Sequence, residues 1–420
     1  MRILIMLTAA SAYLGLNAQP WVPITSPSSG LLLSCSFVSG DTGWVMQQDN
    51  PSGANDAVYK TTDGGVSWTS QVYPPDPAFT GRYFCAVHFV NAEHGIITCN
   101  NYYNGNVDPA LYSTVLWTDD GGANWTYKDF GNNHISDYDG RLVNDSVAYV
   151  IGQYGVRKKT TDGGATWTDL YSVSPYSGMK LFPISEDTVY YVGLDNLSLY
   201  GAFGMTLNGG GTWPTSVVSL NTAMRAIHFN DHLNGWIGGH GGEILRTDDA
   251  GATWIPCTTG VTDVINDLEF TDGSNGWAVT SAGQILRSVD GGQSWQVEHD
   301  GTTPLWDLDF VAWGMGYAVG EDGLVLSFQG TAGIQEPPAL SRLDVFPNPC
   351  RSIATLNWGR PLVDADIAIF RMDGSIAARF SGFSGTRCVI DTRSWVPGVY
   401  AVGMVGGGSG SFERLVVTHE

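Results

Sequence analysis

The sequence predicts an all-β protein, a seven-bladed β-propeller followed by a small C-terminal β-sandwich, and three observations carry that prediction. Glycine is in excess, 54 residues in 420 or about 13% against a usual ~7%, alongside 15 tryptophans and only 15% charged residues. An octapeptide, Ser/Thr-x-Asp-x-Gly-x-Ser/Thr/Asn-Trp, recurs along the chain. Aromatic and apolar landmarks precede its tryptophan, by 18 residues in three units and by 23 to 29 in the others, in stretches that alternate with the period of a half-buried strand.

Residues 1–18 carry Arg2, an apolar run from Ile3 to Leu16 and the small Ala18 before Gln19. The run is too short to span a bilayer, so a cleaved secretory signal is expected and no transmembrane segment in the mature chain. Leu32-Leu33-Ser34-Cys35 imitates a lipoprotein cleavage site, but it lies too far beyond the apolar run and fits a strand.

The octapeptide occupies Thr61–Trp68, Thr118–Trp125, Thr160–Trp167, Thr247–Trp254 and Ser288–Trp295, with a degenerate copy at Thr206–Trp213. Its acidic position is Asp63, Asp120, Asp162, Asn208, Asp249 and Asp290 in turn, and its last is Trp68, Trp125, Trp167, Trp213, Trp254 and Trp295. The Asp side chain is expected to accept backbone N–H groups in a tight turn, glycine to supply positive φ, and tryptophan to anchor neighbouring blades. Successive tryptophans are 57, 42, 46, 41 and 41 residues apart, and a repeat near 41 is the size of a four-stranded blade.

Trp44, Ile96, Tyr149, Tyr190, Trp236, Trp277 and Tyr317 occupy one landmark position, which gives seven units. Seven residues earlier stand the anchors Phe37, Phe89, Leu142, Phe229, Phe270 and Phe310. The seventh unit has no octapeptide, since Gln335 falls where its tryptophan is due. Trp21-Val22-Pro23-Ile24-Thr25 looks like the strand after the octapeptide in Trp254–Thr258, so the N-terminal strand is expected to complete the last blade and leave no exposed edge.

These boxes look like Asp-box (BNR) repeats, and Gly235-Trp236 followed by Ile244–Trp254 resembles the Ycf48-like propeller family, over roughly residues 20 to 330. The resemblance implies a seven-bladed propeller. Several family members are assembly factors for photosystem II, but nothing in this chain points to a photosynthetic partner.

The propeller is expected over 19–330, a Pro-containing linker over 331–340 and a second domain over 341–420. In the last, Val345-Phe346-Pro347-Asn348-Pro349, Ile367–Phe370 with Asp373-Gly374, Gly398-Val399-Tyr400 and Leu415-Val416-Val417 read as short strands with turns. Their order and spacing resemble the type A sorting domain of the type IX secretion system. That resemblance implies a partner in the secretion machinery, outer-membrane translocation, and release or attachment at the cell surface.

A net charge of -21 repels nucleic acid and anionic membranes. The six cysteines form no C-x-x-C pair, so no metal site is indicated, and no cofactor is expected. Cys85 with Cys99, and Cys350 with Cys388, are possible disulfides, the alternative being buried thiols.

A sialidase needs three convergent arginines. The regular basic residues Lys60, Lys159, Arg246 and Arg287 instead sit at a repeating scaffold position, where they are expected to be solvated strand residues. Glu269 and Asp309 are equivalent positions of adjacent units, with His88 and His228 in two others. As a carboxylate pair they would suit glycoside hydrolysis; as strand residues they face water or a neighbouring blade. The expectation is a non-catalytic, monomeric binding or scaffolding module for an extracellular protein or glycan, with a glycoside hydrolase or sialidase-like enzyme as the alternative. Candidate ligand contacts are Tyr102, Tyr103 and Tyr112 in or beside the longest inserted loop, His240 in a glycine-rich loop, and Trp306 and Trp313.

Overall fold

A computed structural model describes residues 20–48, 56–73, 81–102, 112–129, 137–170, 174–312, 314–328, 343–346, 350, 352–371, 376–393, 395–405 and 413–418. Residues 1–18 and 331–340, where a signal segment and a linker are expected, lie outside them. The chain divides into two compact units, Met1–Thr331 and Ala332–Glu420.

The first unit is a seven-bladed β-propeller, each blade a four-stranded antiparallel sheet. The innermost strands of blades 1 to 7 are Leu31–Phe37, Gly81–Phe89, Asp137–Leu142, Tyr176–Pro183, Met224–Phe229, Ile265–Phe270 and Leu305–Ala312. Each lies against the next, and the seventh lies against the first. Trp21–Pro23 forms the outer strand of blade 7, pairing Trp21 with Phe328 and Pro23 with Leu326. The N-terminal strand thus closes the ring, and the edge that an open seventh blade would expose is covered.

The octapeptide is the turn between the third and fourth strands. In the first copy Thr61 Oγ1 donates to Asp63 Oδ1 at 2.8 Å and accepts the Gly65 N–H at 2.8 Å, while Asp63 accepts Ser67 N–H at 2.9 Å and Ser67 Oγ at 2.6 Å. The other copies repeat this geometry, with Asn208 Oδ1 accepting Thr212 N–H at 3.0 Å. Hydrogen bonds from Thr166 and Thr160 hold Asp162 down at about 2. The two glycines take positive φ, 70° and 85° at Gly64 and Gly65, a region L side chains avoid.

Between blades, the landmark aromatic of one stacks on the anchor phenylalanine of the next. Trp44 lies on Phe89 with centroids 3.5 Å apart, Trp236 on Phe270 at 3.7 Å, Trp277 on Phe310 at 4.4 Å and Tyr317 on Phe37 at 3.7 Å. Each stack contributes about 0.5–1.5 kcal/mol beyond its buried area. The octapeptide tryptophans meet the same anchors edge-on, as Trp125 does Phe89 and Trp295 does Phe270.

The regular basic residues are not simply solvated. Lys60 Nζ lies 4.9 Å from the Trp44 ring centre and donates to the Gly121 carbonyl of the next blade at 2.9 Å, and Lys159 does the same over Tyr149 to the Glu186 carbonyl at 3.0 Å. Arg287 pairs with Glu298 at 2.9 Å, and Arg246 is half-buried. The two lysines lie over aromatic rings while their charged ends fasten neighbouring blades, whereas the Arg287 pair stays within blade 6.

The second unit has five antiparallel strands, Leu343–Phe346, Ile353–Arg371, Ile376–Asp391, Gly398–Val405 and Glu413–Val417, in one hydrogen-bonded sheet. The long hairpin of Ile353–Arg371 with Ile376–Asp391 breaks register between Asn357 and Ile367, and residues from both its ends share a core around Leu356, Ile369, Tyr400 and Val402. Cys350 and Cys388 are buried in that core as thiols. Cys85 and Cys99 likewise stand as thiols rather than a bridge, and Cys85 Sγ accepts from Asn100 Nδ2 at 3.1 Å.

Candidate functional site

Every innermost strand breaks register at the same place. The breaks fall between Leu32 and Ser34, Phe84 and Ala86, Asp137 and Asp139, Gly178 and Lys180, Met224 and Ala226, Ile265 and Asp267, and Leu305 and Asp307. The residue skipped is therefore Leu33, Cys85, Tyr138, Met179, Arg225, Asn266 or Trp306. A bulged residue has no cross-strand partner, and its side chain is re-aimed. All seven line one cavity of about 270 Å³ at the axis of the ring.

Three polar atoms at this mouth are buried with no hydrogen-bond partner among the described residues: Arg225 Nε, Asn266 Oδ1 and Trp306 Nε1. Asn266 spends its amide N–H on the Leu305 carbonyl at 2.7 Å, leaving its oxygen unmatched. Burial pushes the Arg225 guanidinium below its ordinary value, and no carboxylate offsets that. His240, on the same face, is pushed down by burial and then by Arg225.

Below the mouth, Lys180 Nζ lies 2.6 Å from Asp267 Oδ1 and 3.0 Å from Asp307 Oδ1. Burial alone would discharge Lys180, but Asp267 and Asp307 outweigh it and keep it charged. Burial alone would likewise raise Asp307, yet Lys180, Asp267 and Arg141, with the Cys35 N–H at 2.9 Å, hold it at about 2. One lysine cannot neutralise two carboxylates, and burial keeps Asp267 protonated well above the usual range. Arg141 pairs with Asp139 at 3.2 Å.

A second cavity, of about 210 Å³, shares Arg141, Lys180 and Asp307 with the first and opens towards the other end. Ser36, His88, Arg141, Phe182, His228, Glu269 and Asp309, one per blade, line it. Glu269 and Asp309 do face neighbouring blades. Glu269 Oε2 accepts the Phe310 N–H at 2.9 Å and Asp309 Oδ2 accepts the Phe37 N–H. Asp139 accepts Leu181 N–H at 2.8 Å, His88 Nδ1 accepts Leu142 N–H at 3.1 Å and Ser36 Oγ accepts Phe89 N–H at 3.0 Å in the same way. An innermost strand is an edge strand whose N–H groups need acceptors, and the preceding blade supplies them.

Burial pushes Glu269 well up, with Asp309 adding, and pushes Asp309 up to about 7 against its bond from Phe37. Burial holds His228 at about 4 and pushes His88 well down. Because folded Asp309 keeps a proton that the unfolded chain loses near its ordinary 3.8, stability is expected to fall as pH rises from about 4 to about 7. Asp309→Asn should flatten part of that slope in melting temperatures measured across the range; an unaltered slope would assign it elsewhere.

Of the residues singled out from sequence, Trp306 lies at the channel mouth and His240 on the same face, half-buried. Tyr102 and Tyr112 end and begin strands of blade 2. Tyr103 and Trp313 lie outside the described residues. Arg225, Asn266 and Tyr138 were missed, although each stands four residues before its blade's apolar anchor, as Trp306 does. Among the described residues no group of three or more His, Cys, Asp or Glu is placed to hold a metal, and no helix is long and apolar enough to cross a membrane.

No protein-family model and no curated protein matches the chain. Among solved structures, YCF48 bound to a D1 peptide is 22% identical, with a TM-score of 0.59 over 75% of this chain and 98% of its own. PorZ, a surface component of the type IX secretion system of Porphyromonas gingivalis, is 14% identical, with a TM-score of 0.52 over 92% of this chain and 59% of its own. A GH74 xyloglucanase from Xanthomonas campestris is 13% identical, with a TM-score of 0.55 over 80% and 59%. These likenesses are of fold. Propellers host both binding proteins and enzymes, so the site has to decide.

Proposed function

We propose that this protein is a non-catalytic binding and scaffolding module that acts outside the cell, and that the face bearing the seven bulges engages an extracellular protein or glycan. One observation carries the reading: Arg225, Asn266 and Trp306 gather buried, unmatched polar atoms around one space, whereas Glu269 and Asp309 at the other end accept backbone N–H groups. Buried polar atoms without partners are costly, and a ligand that matches them recovers that cost. The same face carries exposed apolar tips, Leu197 at 84% exposure with Leu199 and Tyr200 on blade 4, and Tyr154 on blade 3. Leu199 and Tyr154 hold φ of 62° and 50°, each a strain of about 1–2 kcal/mol.

The repeats then belong with the Asp-box propellers, and residues 341–420 act as a type IX sorting domain that delivers the ring across the outer membrane after signal-peptide export. YCF48 carrying a peptide and PorZ belonging to the secretion system agree with a binding role. Probing glycan and peptide arrays with the full chain should give a defined set of ligands, and Leu199→Asp should weaken their capture. Equal capture by the variant would place binding on another face. The alternative, a glycan-active enzyme, draws on Glu269 and Asp309 lining one cavity. Wild type is expected to hydrolyse no member of a glycan panel; turnover abolished by Glu269→Gln would replace the binding reading.

A further inference from the structure

We propose that the channel mouth binds a sugar acid, a uronate unit of a glycan, with its carboxylate on Arg225 and Trp306 and a ring hydroxyl on Asn266. The inference rests on the binding reading above and names the ligand class for its central site. The unmatched atoms define the ligand by complement. Arg225 Nε–H and Trp306 Nε1–H can only donate, and Asn266 Oδ1 can only accept. The ligand must therefore present acceptors beside a donor, as a carboxylate next to a hydroxyl does.

Charge selects the acceptor. Arg225 has no ion-pair partner among the described residues, while Lys180 and Arg141 below it are matched by Asp307 and Asp139. The mouth thus carries one uncompensated positive charge on a chain of net charge -21, and an anion supplies the missing partner. Size and wall composition select the rest. About 270 Å³ is just below the range for drug-sized ligands and suits one monosaccharide unit. Ser34, Gln48, Tyr83 and Tyr138 add neutral polar groups to the wall, and Trp306 and Met179 add apolar surface for the C–H face of a sugar ring. A peptide terminus shares the carboxylate but brings no ring hydroxyls for Asn266 and the neutral polar groups of the wall.

Titration calorimetry of the full chain with methyl glucuronide, methyl glucoside and N-acetyl-alanyl-alanine tests the assignment. Saturable binding of the glucuronide is expected, at least about tenfold tighter than the neutral glucoside and the peptide carboxylate. Arg225→Gln should remove that preference, and Trp306→Phe, which keeps the ring and loses the donor, should weaken the glucuronide several-fold at unchanged melting temperature. Equal affinity for glucoside and glucuronide, tighter binding of the peptide carboxylate, or no saturation by about 50 mM would overturn the assignment. Array binding that still responds to Leu199→Asp would then leave the module reading standing, and its loss as well would remove both.

Discussion

Replacing Lys180 with methionine is expected to lower the free energy of unfolding by about 3–5 kcal/mol, because it strands Asp267 and Asp307 in the channel without their shared cation. Methionine keeps the length of the side chain, so the effect isolates the charge rather than a cavity. Urea denaturation at pH 7 measures it. Its pH dependence gives a second check. Without Lys180 both carboxyls are pushed above their ordinary 3.8, so the variant's deficit should be full near neutral pH and shrink as pH falls towards about 4, where both can protonate at little cost. A deficit below about 1 kcal/mol, or one that grows on acidification, would mean that the channel tolerates the bare pair.

Trp21→Ala should cost a similar about 3–5 kcal/mol, the usual range for a large buried aromatic. Trp21 is 1% exposed, packs on Phe328 at 5.1 Å and Phe310 at 5.8 Å, and donates to Glu298 Oε2 at 3.0 Å, an oxygen that also accepts Trp277 Nε1 at 2.9 Å. Its strand is the last of blade 7, so the loss should also open the ring there. Hydrogen exchange should quicken first in Val325–Phe328, the strand that Trp21–Pro23 covers, and next in Met315–Gly320 beside it. Uniform quickening across all seven blades would show that closure is not localised at this strand.

The parts of the molecule that repeat were legible in the sequence. The octapeptide turn, the landmark aromatics and even the displaced closing strand follow from spacing, since each recurs often enough to be aligned against itself. Repetition says little about what differs between copies. The bulge shifts the side chain of Arg225 or Asn266 by one residue relative to strict alternation, and alternation is the signal from which a strand's faces are read. Lys180 was missed for a related reason. Blade 4 carries Pro183 opposite Val189 where other blades place an apolar anchor, so the register that would have aligned Lys180 with Asp267 and Asp307 was lost. The backbone bonds accepted by Glu269 and Asp309 cross between neighbouring blades, joining residues 41 and 272 apart in the chain, where spacing alone shows equivalence but not contact.

The seven bulges also divide the labour between fold and recognition. A residue that skips the ladder takes no part in holding strands in register, so it can be exchanged without disturbing the aromatic stacks and octapeptide turns that carry the ring. The mouth is in effect a word of seven letters, one written by each blade, on a frame that spells the same regardless. This chain reads Leu, Cys, Tyr, Met, Arg, Asn, Trp, with the three letters that bear unmatched polar atoms side by side on blades 5, 6 and 7. Rewriting those three letters offers a way to change what the propeller holds while keeping its stacks and turns, provided the letter on blade 6 still donates to the Leu305 carbonyl.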